Sequence, residues 1–356
     1  MLLRKTARVL AVLGIAAGAG GTGLAAPASA CACGGAAWPT ATSGQVADET
    51  ALVAWDGQRE TIDMRLGLRS SGPGAALLVP TPTPATVTLG NPGTFTELEQ
   101  LTAPTVVTER KWFGDFRLGW GSAAPDGAGA APGAGAPTVL DRVQLGPVEA
   151  TTFTGGDLTG IREWLSANGY EMREEVLATM PPYLDEGWSF VALRLTTSAA
   201  LNGALDPVRI GFASDRLVYP MRMSRAATHQ QTVRLYVLGP HEVKREDRDV
   251  TGQQISYFFT GRVDPRDTDL QQLSAGGNDY LTGMFVSVWQ PTAISSDFLF
   301  VRSTADVPFR ETEHRVEYVQ FLGIPAGFAI LLGGLLLGPA LGILVIVTRG
   351  LRRAGV

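Results

Sequence analysis

Two patterns divide the chain. Between residues 45 and 301, short runs of alternating apolar and polar side chains recur between turn residues, whereas 321–347 is apolar almost throughout. Ile62, Met64, Leu66 and Leu68 alternate with Thr61, Asp63, Arg65 and Gly67. A period of two with one apolar face predicts a half-buried strand over 60–69. Asp56-Gly57 joins it to the preceding run, 45–55, so the predicted unit is strand, tight turn, strand. Residues 75–79 form a short apolar run that Pro80 ends. Thr81-Pro82-Thr83-Pro84 has too few donors for a sheet ladder and predicts an extended corner. Further strands are predicted over 105–113, 139–153, 188–196, 208–212, 217–223, 232–238, 255–259, 284–289 and 298–301. In 188–196, Val191, Leu193 and Leu195 share a face.

Helical spacing is rarer. Phe95, Leu98 and Leu101 predict a helix over 95–101, with Thr94 as cap and Glu97 three residues on, as in a capping box. Ile161, Trp164 and Leu165 predict a second helix, capped by Asp157 and stopped by Gly169. Pro181-Pro182 breaks whatever follows Met172. The pattern as a whole predicts an α+β fold: a strand-rich ectodomain with a few helices, plus one C-terminal transmembrane α-helix.

The ends set the expected location. About 20 apolar residues cross a hydrocarbon core as a helix, so 321–347 is long enough to span. Arg349, Arg352 and Arg353 follow at once, and the positive-inside rule places the tail 348–356 in the cytoplasm and the body outside. The protein is therefore expected to be a single-pass protein of the cell membrane. Pro325 and Pro339 predict kinks. Gly334, Gly338 and Gly342 have the small-x-x-x-small spacing that packs two membrane helices, which makes a homodimer one candidate assembly. Residues 311–320 read as a charged juxtamembrane stalk.

Residues 1–30 have the three parts of a secretory signal: basic Arg4-Lys5-Thr6-Ala7-Arg8, an apolar run, and Ala28-Ser29-Ala30 before the cut. Cys31 and Cys33, the only cysteines, follow directly. A short disulfide, lipidation of Cys31, metal binding and free thiols all remain open. The oxidising compartment favours the first, although a two-residue spacing strains it. Ala28 fits lipidation poorly, and two thiols alone do not close a zinc shell. Residues 123–137, all Ala, Gly, Pro, Asp and Thr-free up to their end, can bury nothing and read as a disordered linker or loop. It separates an N-terminal half, 31–122, from a C-terminal half, 138–310.

Charge narrows the partners. The formal net charge is −5 even though basic residues cluster at both ends, so the middle is distinctly acidic. That excludes nucleic acid as an expected partner, because phosphate binding needs clustered Lys and Arg. Lysine is scarce beside arginine, with Ala and Gly abundant, a composition typical of GC-rich coding such as actinobacterial genomes use.

No catalytic signature stands out. His229, His241 and His314 show neither metal-ligand spacing nor a nearby serine elbow. Asp264, Asp267 and Asp269, with Asn278 and Asp279, could suggest calcium, but the spacing misses the EF-hand and Arg262 and Arg266 oppose the charge. Asp185-Glu186 before Trp188 supplies carboxylates of the kind a glycosidase uses, though adjacent residues rarely form the separated pair. The aromatic stretch Lys111-Trp112-Phe113-Gly114-Asp115-Phe116 reads as core packing rather than a sugar platform. No cofactor or metal site is expected, and no catalytic residue is assigned.

Several segments together resemble the uncharacterised DUF2330 family. They are Cys33-Gly34-Gly35, Gln45 to Val53, Trp55-Asp56-Gly57, and Ala76-Leu77-Leu78-Val79-Pro80-Thr81-Pro82. Phe95, Leu98 and Leu101-Thr102-Ala103-Pro104 belong with them, as do Trp164-Leu165, Gly169-Tyr170, Phe190 to Leu195 and Asp206 to Ile210. The resemblance covers most of 31–245 and implies no activity, because the family has none assigned. Its Gram-negative members carry more cysteines, a pattern from which the lone pair here departs. The sequence thus predicts a membrane-anchored extracytoplasmic module that binds an envelope component or a protein partner without catalysis. The alternative is a carboxylate-dependent envelope hydrolase.

Overall fold

The computed structural model describes residues 30–31, 34–112, 138–145, 148–154, 158–321, 324–327, 329–331, 333, 343, 345–347 and 349. It opens with β1 (Ala30–Cys31) and β2 (Gly34–Pro39), followed by the long pair β3 (Gly44–Trp55) and β4 (Arg59–Thr81). The predicted turn between the pair forms: Asp56 Oδ1 accepts from the amides of Gln58 and Arg59, and Gly57 takes φ +97°, where a side chain would be strained. The two segments read separately as 60–69 and 75–79 are one 23-residue strand. Gly72 and Gly74 carry the strand through the join. A Cβ on Gly72 would lie 2.6 Å from Thr42 Cγ2, and Gly74 adopts φ +81°. Pro80 lies within the strand, opposite Phe190.

Next come β5 (Thr86–Leu89), α1 (Pro92–Leu101), β6 (Thr105–Lys111), β7 (Thr138–Leu145), β8 (Val148–Thr154), α2 (Leu158–Ala167) and β9 (Tyr170–Glu171). Two short helices follow, α3 (Glu174–Leu177) and α4 (Pro181–Asp185), so the double proline begins a helix instead of ending one. Proline lacks only an amide that the first turn leaves unpaired anyway. Then come β10 (Ser189–Ala204), β11 (Val208–Ala213), β12 (Leu217–Tyr219), β13 (Gln231–Gly239), β14 (Val243–Arg245) and β15 (Gln254–Arg262). The last elements are α5 (Thr268–Leu273), β16 (Tyr280–Val288), β17 (Phe298–Arg302), β18 (Phe309–Arg310) and β19 (Thr312–Tyr318).

Among the described residues, one fourteen-stranded sheet runs β18-β15-β16-β13-β3-β4-β10-β8-β7, with further strands branching from β4. Strands from both sides of 123–137 pair within it. The fold is therefore a strand-rich α+β arrangement. The central strands are buried on both faces. Val191, Leu193 and Leu195 enter one cluster with Ile62, Met64, Leu66 and Leu68, as their alternation predicts. Phe190 and Ala192 point the other way, under α2 and α3 with Ile161, Leu165 and Val176. A third cluster packs Phe95 and Leu98 of α1 and Leu270 of α5 on Leu52, Tyr236 and Leu238. A small sheet, β12-β17-β14, adds Leu217, Tyr219, Phe298 and Phe300 to the first cluster.

Several boundaries differ from the sequence reading. Helix α1 starts earlier, with Asn91 capping the Gly93 amide and Pro92 in the first turn. Thr94 and Glu97 instead hold the chain before α5: Thr94 Oγ1 donates to Asp267, and Glu97 accepts from the amides of Arg266 and Asp267. The charged segment at 311–320 is not an irregular stalk. Its strand β19 pairs in parallel with β6 over seven residues, and the side chains of this ribbon are exposed except for partly covered Lys111. Trp112, read as core, is 54 % exposed; its carbonyl accepts from the Gly327 amide.

The predicted membrane segment 321–347 lies mostly outside the described residues, as do Gly334, Gly338 and Gly342, the leader 1–29, Cys33, Asp157 and the linker 123–137. Among the described residues no helix is long and apolar enough to cross a membrane. Those described within 329–347 are helical, and Ile330, Leu331, Ile343 and Ile346 are exposed.

Candidate functional site

The most extensive concave surface lies where α4, the turn after β12 and the loop before β17 meet. It is an open cleft of about 520 Å³, lined by residues including Glu186, Trp188, Arg222, Asp247 and Asp297. Three separate segments build its centre. Helix α4 buries Tyr183 and leaves Glu186 at its C-terminal cap, where Gly187 turns the chain at φ +76° into β10. A 3₁₀ turn, Arg222–Ala226, presents the Met221 and Arg222 amides. The third segment is fixed by Asp249, which accepts from the Ser295 amide, the Ser295 hydroxyl and the Ser296 amide, and so places Asp297.

Asp297 is the hub. Its Oδ1 accepts from the Tyr183 hydroxyl at 2.5 Å and from the amides of Met221 at 2.7 Å and Arg222 at 3.0 Å. Its Oδ2 meets Arg222 Nε at 2.7 Å. The same guanidinium takes Glu186 in a bidentate pair and lies 4.0 Å from the Tyr183 ring centroid. Burial, with the neighbouring Asp297 charge, pushes the Tyr183 hydroxyl well above its ordinary value. Arg222, hydrogen-bonded to Glu186, holds that carboxyl below the usual range. A second ion pair sits beneath the cleft: Arg245 and Asp247, both side chains wholly buried, meet at 2.6 Å, with Arg245 3.5 Å from the Phe298 ring centroid. Residues 241–249 are thus not simply the solvated charged loop that their composition suggests.

This geometry gathers carboxylates without freeing any as an acid. Glu186 and Asp297 share one arginine, and a general acid needs a carboxyl held protonated near neutral pH. Of the acidic pair in the sequence reading, Glu186 lines the cleft and Asp185 does not.

The aspartate cluster near 264–279 is taken up by protein donors. Asp267 caps α5 and accepts from Asn91 and Thr94, Asp269 pairs with Arg209 at 2.9 Å, and Asp279 pairs with Arg262. Among the described residues no group of three His, Cys, Asp or Glu could hold a metal. His241 bonds Asp306 at 2.9 Å and His314 bonds Glu109 at 3.2 Å, both away from the cleft. Cys31 pairs through its backbone with Gly34. Sequence reasoning did not single out Tyr183, Arg222 or Asp297: they lie far apart in the chain, and no local spacing marks them.

The fold and this ion-paired cleft define a strand-rich α+β protein with a polar surface groove. The chain belongs to the DUF2330 family, described as an uncharacterized protein conserved in bacteria, whose model matches residues 27–301. No curated protein and no solved structure matches it.

Proposed function

We propose that the chain is a membrane-held extracytoplasmic binding module, its body carried clear of the bilayer by the β6–β19 ribbon. The observation that carries this reading is the ribbon itself. It leaves the body with nearly every side chain exposed and leads directly towards the apolar stretch 321–347. Seven residues at ~3.3 Å each give a rise of roughly 23 Å. Trp112, Tyr318 and Phe321 are exposed at its far end, the kind of aromatic group that favours a membrane–water boundary. The leader-like start and the arginines after the apolar stretch support the same orientation. The cleft supports binding over catalysis, because its carboxylates are ion-paired.

The test is proteolysis of bacterial cells expressing the full-length chain with an epitope after Val356. Protease outside intact cells is expected to remove the body and leave a tagged membrane fragment. A body that resists outside protease but is cut once the membrane is opened reverses the orientation and ends this reading.

A further inference from the structure

A second cleft of about 460 Å³ adjoins the first, and both are lined by Arg222 and Ser295. The two form one open groove across α3, α4 and the 3₁₀ turn. Its charges do not balance locally, although the chain as a whole is acidic. Every carboxylate lining it already has a basic partner. Glu186 and Asp297 share Arg222, while Glu175 lies 3.2 Å from Arg173. Asp247 is paired with Arg245, and Glu246 lies 3.0 Å from Lys244.

The lining arginines are different. Arg225 and Arg248 are exposed and form no ion pair among the described residues. Arg216 reaches only Asp215, at 3.7 Å, and that carboxylate is 91 % exposed, so water screens the contact. Three guanidinium groups therefore line the groove with their donor forks open. A guanidinium fork matches the planar oxygen pairs of carboxylate and the oxygens of phosphate.

We infer that the joined groove binds an extended anionic ligand, a chain carrying repeated phosphate or carboxylate groups, through Arg216, Arg225 and Arg248. The groove is long and open, which suits a chain lying across it better than an enclosed small molecule. This inference rests on the reading of the protein as a binding module and not on its membrane orientation.

The test is titration calorimetry of the full-length chain in neutral detergent at low ionic strength, with tripolyphosphate and triglutamate as probes. At least one probe is expected to bind, more weakly as salt rises. The preferred probe identifies phosphate or carboxylate as the recognised group. Replacing the three residues together (Arg216→Ala, Arg225→Ala, Arg248→Ala) should weaken binding at least tenfold. The control replaces Arg69, Arg266 and Arg302 with alanine, three exposed arginines outside the groove lining that change the net charge equally. That variant should bind within about twofold of the parent. Failure of both probes to bind overturns the inference, and so does an equal loss in the two triple variants. The protease result on cells stands or falls independently of either outcome.

Discussion

At the residue scale, the informative groups are buried charges. Glu60 has no exposed surface; its Oε2 accepts from the Val218 amide, and its Oε1 has no partner among the described residues. Burial raises its carboxyl well above the ordinary value. The folded state therefore holds this proton more tightly than the unfolded chain. The stability it confers is complete below the unfolded value and is lost as pH rises towards the folded one. Glu60→Gln removes the titration. Thermal melts should show the variant gaining on the parent between pH 4 and pH 8; a gap that stays constant across that range refutes the assignment. Asp297 is the opposite case, a carboxylate satisfied on both oxygens. Asp297→Ala strands two amides, the Tyr183 hydroxyl and part of the Arg222 charge, and should cost about 3–5 kcal/mol in urea unfolding. A loss below about 1 kcal/mol would show that the hub is not holding the three segments together.

At the scale of elements, much was legible in the sequence because burial and periodicity agree. The strands around Asp56-Gly57, the alternation in 188–196 and the helix stopped by Gly169 all form where the pattern puts them. The errors have physical causes. Strand β4 looked like two segments because Gly72-Pro73-Gly74 resembles a turn, yet those glycines let the backbone bend without leaving the sheet. Pro181-Pro182 looked like a break because proline ends helices as often as it begins them. Arg245 and Asp247 looked solvated because a local charge run gives no sign that two of its members pair beneath a small sheet. The cleft was illegible for a deeper reason: Tyr183, Arg222 and Asp297 converge only in space.

The join of β2 to β4 offers a direct check at this scale. A Cβ on Gly34 would sit 2.3 Å from the Leu78 carbonyl oxygen, and a backbone atom cannot swing aside as a side chain can. Gly34→Ala should destabilise by roughly 1–3 kcal/mol. Gly239→Ala meets nothing within 4 Å and should stay within about 0.5 kcal/mol. Equal melting temperatures for the two variants would contradict the close approach.

At the scale of the whole molecule, the body and the ribbon differ in what holds them. The body has three buried clusters, whereas the ribbon has a hydrogen-bonded ladder and surface ion pairs such as Arg110 with Glu317 at 3.9 Å. Exposed pairs of this kind contribute at most about 1 kcal/mol. Val107→Asp combined with Val316→Asp, both at exposed ribbon positions, should therefore leave the denaturant midpoint of the body unchanged within about 0.5 kcal/mol per site. A large shift would mean that the ribbon is packed against the body and is not a free extension of it.

The route by which β19 enters the body has a mechanical consequence. A pull arriving along β19 does not load the central strands first. It reaches β18, a two-residue strand at the rim of the sheet, held to β15 only opposite Phe259 and Thr260, with Arg310 steadied by the Ala103 carbonyl and the Phe259 ring. Under tension that rim would peel before the interior felt the load. The peeled residues would lengthen the tether and act as a fuse, so that a tug on the anchor is spent there and the groove keeps its shape.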